Sequence, residues 1–271
     1  MGAYFDLITD DARLFYGDSF HLGYFPQGDE SLREALDAHT DLVAELARVK
    51  AAEHVLDVGC GLAAPALRIA RRYGCRVTGL NISREQVRQG CELIAERGLS
   101  GRVTIQRDAR ARSSSPPAPS TRSSAWRRPA PSASPSPARA DWWASCSGCC
   151  GPAGTSGSPT SRCGLTPSPA EDRVLRAVLY HSGAELVTDW PAVFASHGFR
   201  VVECQDIISE TPPTWEHARA VYERRDGEVS HRYGQGLVDR VAARLERIPR
   251  ILAAHGTFPT LCAHKPSGAS G

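Results

Sequence analysis

The sequence predicts an α/β fold: a doubly wound, Rossmann-like sheet with helical cap elements at its N- and C-terminal ends. Three observations carry that expectation. Short apolar strands and amphipathic helices alternate at an even pitch from residue 54 to residue 108; the first strand breaks into a glycine turn; and helices and two further strands follow residue 198. Over residues 29–49, Leu32, Ala35, Leu36, Ala38, Leu42, Val43 and Leu46 recur at helical spacing. His54–Val58 then reads as a strand running into Gly59-Cys60-Gly61, and residues 65–73 read as a helix. A second strand is expected at 76–81. Ser83 is placed to cap the next helix, with Gln86 completing a capping box and Gly98 as its stop. The third strand covers 102–108. Beyond it, helices are expected at 170–187 and 190–197, a strand at 199–204, helices from 214 to 254 and a last strand at 257–264, with a loose tail from Lys265.

One segment breaks this order. From Arg110 to Cys163 there is no Leu, Ile, Val, Phe, Tyr or Met, and nearly half of the positions are Ser or Pro. A buried parallel sheet needs aliphatic runs, so this stretch is not expected to supply the next two strands. The chain therefore divides into an N-terminal helical cap (1–50), one half of the core (51–109), an anomalous Ser/Pro-rich segment (110–163), and the rest of the core with a helical cap (164–271). Cys146-x-x-Cys149 could be half of a zinc site, but no second well-spaced pair accompanies it, so no metal is expected.

Composition bounds the function classes. The net charge of +2 gives no reason to expect a nucleic-acid partner. No apolar run is long enough to span a membrane, and the N-terminus lacks a basic stretch followed by an apolar one. A cytoplasmic protein is the expectation, which argues against disulfides among the nine cysteines. Lys50 and Lys265 are the only lysines among 32 Lys and Arg, a bias that points to a GC-rich genome.

The glycine turn is the most informative element. A Gly pair after a buried strand lets backbone N–H groups approach a ligand closely. Gly59-x-Gly61-x-x-Ala64 loosely fits a dinucleotide fingerprint. Asp57 argues otherwise, because its carboxylate would repel a pyrophosphate and attract an amino-acid ammonium. Asn81 stands where a nicotinamide site prefers an acid for the ribose. S-adenosylmethionine (SAM) carries an ammonium and a sulfonium and no phosphate, so it suits the turn better than NAD.

Val55-Leu56-Asp57-Val58-Gly59-Cys60-Gly61 is similar to motif I of class I SAM-dependent methyltransferases. The run from Arg76 to Val87 resembles the branch that holds rebeccamycin and rifamycin O-methyltransferases, sterol and phosphoethanolamine methyltransferases and cyclopropane-fatty-acid synthases. Ser19-Phe20-His21-Leu22-Gly23-Tyr24-Phe25 resembles that branch's N-terminal aromatic segment, which closes over the cofactor. The resemblance covers residues 4–109 and 165–266. It implies that Gly59 and Gly61 line the methionine part of SAM, with Asp57 near its ammonium. Asn81 would serve the ribose, with Gln86 alongside; Asp108 would accept from the adenine amine, and the Ala109 N–H would meet a ring nitrogen. Tyr24 would lie against the cofactor. Gln86 equally suits a pure helix cap, and Tyr24 ordinary core packing.

The implied activity is methyl transfer to a hydroxyl of a small-molecule, natural-product-like acceptor, as in antibiotic biosynthesis and secondary metabolism. Tyr16, Phe20, Tyr24 and the helices of 170–250 would face that acceptor. C- or N-methylation, a catalytically impaired SAM-binding product and, more remotely, an NAD-dependent oxidoreductase are the alternatives. His181 and His217 are candidate bases by residue type alone, and no catalytic residue is assigned. In the family, residues that orient or deprotonate the acceptor fall within 110–163, which as written lacks them. A shifted reading frame explains this. Moving the frame by one base lets Pro117–Arg127 encode a Gly-Ser-Phe-Asp run like the family's fourth strand, and lets 144–155 encode an Arg-Pro-Gly-Gly turn like that before its fifth. A genuine Ser/Pro insertion is the other reading. The sequence sets no oligomeric state.

Overall fold

The structure, a computed structural model, describes residues 2–107, 123–128, 142–147, 168–171, 195, 199–255 and 258–265. Helix α1 covers Gly2–Tyr16 and α2 covers Leu32–Leu46. A full capping box opens α2: the Ser31 hydroxyl accepts from Glu34 N, and the Glu34 carboxylate accepts from Ser31 N. The α2 face that carries Ala35, Leu36, Val43 and Ala44 is buried. Strand β1 (His54–Val58) leads through the glycine turn to α3 (Ala64–Tyr73), which stops at Gly74 in the left-handed region. Strand β2 (Arg76–Asn81), α4 (Arg84–Glu96) and β3 (Val103–Arg107) follow, within two residues of the expected bounds.

Strands β4 (Ser123–Arg128) and β5 (Trp142–Ser147) come next, then β6 (Arg200–Asp206) and a 3-10 turn at Ile208–Glu210. Helices α5 (Pro213–Arg224), α6 (Asp226–Tyr233) and α7 (Gln235–His255) precede β7 (Pro259–Lys265). The helices expected at 170–187 and 190–197 lie almost wholly outside the described residues, as does the tail after Lys265.

One sheet runs β3-β2-β1-β4-β5-β7-β6. Strands β1, β2 and β3 are parallel, and β7 is antiparallel to both β5 and β6. Two expectations are corrected here. The Ser/Pro-rich segment does supply two strands, because six residues of any non-proline backbone can pair with the open edges of β1 and β7. The sheet is also not parallel at its centre: β4 runs antiparallel to β1 and to β5. Antiparallel neighbours need no crossover helix.

By these pairings β1, β2, β3, β5 and β6 all end at the same edge of the sheet. The glycine turn after β1 and the Ile207–Glu210 turn after β6 therefore share that edge, where open α/β sheets bind ligands. Two apolar clusters flank it. The first gathers Val43, Val55, Leu62, Leu67, Ile69, Val77, Leu93, Ile94, Val103 and Ile105 between α2–α4 and β1–β3. The second joins Leu22 to Ile207, Ile208, Trp215, Ile248, Ile251, Leu252 and Phe258. Among the described residues no helix is long and apolar enough to cross a membrane.

Candidate cofactor site

The turn after β1 alternates its handedness. Gly59 (φ 85°), Gly61 (φ 56°) and Ala63 (φ 64°) are all in the left-handed region. Two of these positions suit only glycine without strain; Ala63 carries its Cβ there at a cost. Gly59 N and Cys60 N both donate to Leu80 O, at 2.8 and 3.2 Å, which pins the turn to the end of β2. The Gly61 and Leu62 N–H groups have no partner among the described residues. Alternating left-handed residues at a helix N-terminus make a concavity of N–H groups suited to an anion such as a carboxylate.

Asp57 lies at the foot of this turn and is only 5 % exposed. Among the described residues, no hydrogen bond or ion pair reaches its carboxyl. Burial alone pushes its pKa from 3.8 up to about 7. A buried acid without a cation, beside unpartnered N–H groups, offers opposite ends to a zwitterion. The residues present thus fit the ammonium and carboxylate of an amino-acid moiety.

Asn81, at the end of β2, is fully engaged. Its Nδ2 donates to Gly61 O at 3.0 Å and to Gln86 Oε1 at 2.8 Å, while Oδ1 accepts from Ser83 N at 3.0 Å. Gln86 departs from the capping box expected of it. Ser83 does cap α4 by accepting from Gln86 N at 3.1 Å, but the Gln86 side chain turns to Asn81 instead of back to Ser83 N. Both amides are buried, so they form one polar unit tying the glycine turn to α4. Helix α1 adds a ladder that the sequence reading did not find. Asp6 accepts from Ser83 Oγ at 2.6 Å and Glu85 N at 3.1 Å, and Asp10 accepts from Gln89 Nε2 at 2.8 Å. Arg13 Nη1 donates to Gln89 Oε1 at 2.9 Å. The hydrogen bonds from Ser83 and Glu85 hold the Asp6 carboxyl below its usual range.

The aromatic segment crosses this edge. Phe20 packs against the first cluster, with Cδ2 3.8 Å from where a Cβ on Gly61 would stand. Tyr24 packs against the second cluster. Tyr16 lines a cavity of about 390 Å³ with Leu36, Leu67, Arg71, Leu93 and Arg97. His217 stacks on Phe25, with ring centroids 5.9 Å apart. His181, Asp108 and Ala109 lie outside the described residues. The structure therefore brings Asp57, Gly59, Gly61, Asn81 and Gln86 together, and sets Tyr24 further along the same segment. The sequence reading missed His21 and His39. The available signal was a ring nitrogen one turn from Leu36 and Val43, on the apolar face of a helix.

Residues 3–110 match the family described as Mycolic acid cyclopropane synthetase. Over 87 residues the chain is 42% identical to (+)-O-methylkolavelool synthase of Herpetosiphon aurantiacus, covering 31% of each chain. It is 30% identical over 106 residues to 27-O-demethylrifamycin SV methyltransferase of Amycolatopsis mediterranei, covering 39% of each. The match thus spans between 31% and 39% of the length of these curated relatives. The fold is similar to that of the cyclopropane synthase MmaA2 from Mycobacterium tuberculosis, with TM-score 0.75 at 17% identity, over 97% of this chain and 96% of that one. The fold read from the sequence is that of this structural neighbour, and the matched N-terminal residues are similar to a natural-product methyltransferase and to the cyclopropane synthetase family.

Proposed function

We propose that this chain transfers a methyl group from SAM to a hydroxyl of a small, natural-product-like acceptor. The observation that carries the cofactor part is Asp57: a buried acid, unpaired among the described residues and beside N–H groups that are likewise open, suits a ligand with an ammonium and a carboxylate. Phosphate ligands do not match it. Bound SAM supplies an electrophilic methyl group on a sulfonium and departs as S-adenosylhomocysteine. Asp57 would face the ammonium, the Gly61 and Leu62 N–H groups would hold the carboxylate, and the Asn81–Gln86 unit would fix the turn for the ribose end. Asp108 and Ala109 are proposed for the adenine. Phe20 and Tyr24 keep water from the edge, so that acceptor and methyl group meet in line. For an oxygen acceptor, the displaced proton passes to a base.

The hydroxyl acceptor is supported by the two relatives whose names specify an O-methyl group. Transfer to carbon is the second reading, favoured by the family description, which names a cyclopropane synthetase. Incubation with SAM carrying a 13C-methyl group and a panel of terpenoid, polyketide and sugar alcohols, read by NMR, separates them. An O-methyl resonance is expected. A C-methyl product would replace the first reading with the second, and SAM binding without transfer would leave a non-catalytic SAM-binding product.

The segment 110–163 belongs to the same proposal. The family match ends at residue 110, where the Ser/Pro-rich run starts, which supports a shifted reading frame. The nucleotide sequence through codons 105–170 tests this. A second frame encoding aliphatic strands is expected; its absence would make the run a genuine insertion.

A further inference from the structure

The segment from Leu22 to Phe25 has its backbone tied by four hydrogen bonds to three other parts of the chain. Leu22 O accepts from His39 Nδ1 at 2.8 Å. Gly23 N donates to the buried hydroxyl of Thr214 at 2.9 Å, in the first turn of α5. Tyr24 N donates to Ala35 O in α2, and Phe25 N to Glu210 O in the turn after β6, each at 2.9 Å. Just before these ties, Phe20 rests against the glycine turn. The segment is thus a strap, anchored on the second cluster and laid over the cofactor edge.

Two imidazoles converge on one of its carbonyls. His21 Nδ1 also lies 2.9 Å from Leu22 O, and the two Nδ1 atoms are 3.3 Å apart. A carbonyl only accepts, and His39 Nδ1 makes the shorter contact to it, which assigns the proton of the His39 ring to Nδ1. His39 Nε2 is then a bare lone pair, buried and without a partner among the described residues. A buried acceptor left unpaired costs stability, and a leucine or phenylalanine would fill the position without that cost. What histidine adds there is the Nδ1 donor. We infer that His39 is a positioning residue: its bond to Leu22 O holds the strap, and with it Phe20, against the Gly59–Gly61 turn.

This inference rests on the cofactor reading above, so the test has an arm that needs no ligand. Asparagine can place an amide nitrogen where His39 Nδ1 stands, whereas glutamine places one nearer Nε2. Binding of S-adenosylhomocysteine by calorimetry and chymotryptic cleavage after Phe20 and Tyr24 are compared in His39→Asn, His39→Gln and His39→Phe. Weakened binding and faster cleavage, each by about tenfold, are expected for the Gln and Phe variants; the Asn variant should stay within about threefold of the parent. Ile248→Val, with a comparable fall in melting temperature, should leave both readouts unchanged. If His39→Phe does not fold, the Asn/Gln pair and Thr214→Val, which removes another tie, decide. Equal binding and cleavage in all variants would overturn the inference, as would an Asn variant no better than Gln. A parent chain that binds no S-adenosylhomocysteine would overturn the cofactor reading instead, with the cleavage arm still reporting on the strap.

Discussion

The two apolar clusters on either side of the ligand edge are built differently. The first draws its residues from one continuous stretch, Val43 to Ile105, and its contacts join neighbouring strand–helix units. The second closes only when Leu22 meets Ile207 to Phe258 across most of the chain. Their polar content differs too. Beside the first, the buried Asn81, Ser83, Gln86 and Gln89 are all hydrogen-bonded. Around the second, His39 Nε2, Trp215 Nε1 and Thr260 Oγ1 are buried without partners among the described residues, against one such atom, Tyr73 Oη, beside the first. The contrast teaches that the cofactor side pairs its amides locally and leaves Asp57 and the turn's N–H groups open towards the ligand, whereas the strap side is held by few, distant contacts and keeps polar atoms in reserve. Ordered water or an acceptor's polar groups are the natural partners for such atoms.

The largest effect should come from breaking the second cluster alone. Phe258→Ala removes a ring that touches both the cluster and His39, and should cost about 3–5 kcal/mol. In hydrogen exchange it should strip protection from α5–α7 and leave β1–β3 protected; uniform loss would mean that the two clusters fold as one. Asp57→Asn tests the opposite side. Losing the charged partner of an ammonium should weaken S-adenosylhomocysteine binding by about 1.5–3 kcal/mol, without destabilising the free protein.

pH sharpens the comparison, because the two sides titrate in opposite senses. Burial drops the His39 pKa from 6.5 to about 3, with His21 beside it adding to the fall. The unfolded chain takes up that proton first, so this stability is whole above about pH 6.5 and drains away as pH falls towards 3. The Asp57 contribution is whole below 3.8 and is lost as pH rises through about 7. Each has a limiting slope of about 1.4 kcal/mol per pH unit, so they oppose one another between pH 4 and 6.5. Melting curves of Asp57→Asn should therefore show stability rising with pH across that window more steeply than the parent does. Near pH 6, cofactor binding should release up to about one proton, read as a dependence of the calorimetric heat on the buffer's ionisation enthalpy and absent in Asp57→Asn. The smallest effect is expected at Ala63, where glycine relieves the left-handed backbone; a gain of about 0.5 kcal/mol should appear as a slightly higher melting temperature.

The sequence by itself determined the alternation of β1 to β3 with α3 and α4, the Ser83 cap and the glycine turn with Asp57 beneath it. These are set by periodicity, capping and steric demands within a few residues of one another. Only the tertiary structure decided the reversed course of β4, the turning of Gln86 towards Asn81, the Asp6–Ser83 ladder and the meeting of His39 with Leu22. Each depends on which open sheet edge or unpaired polar atom a distant segment encounters. The energies involved are those of single hydrogen bonds, too small and too far apart in the chain to leave a local pattern.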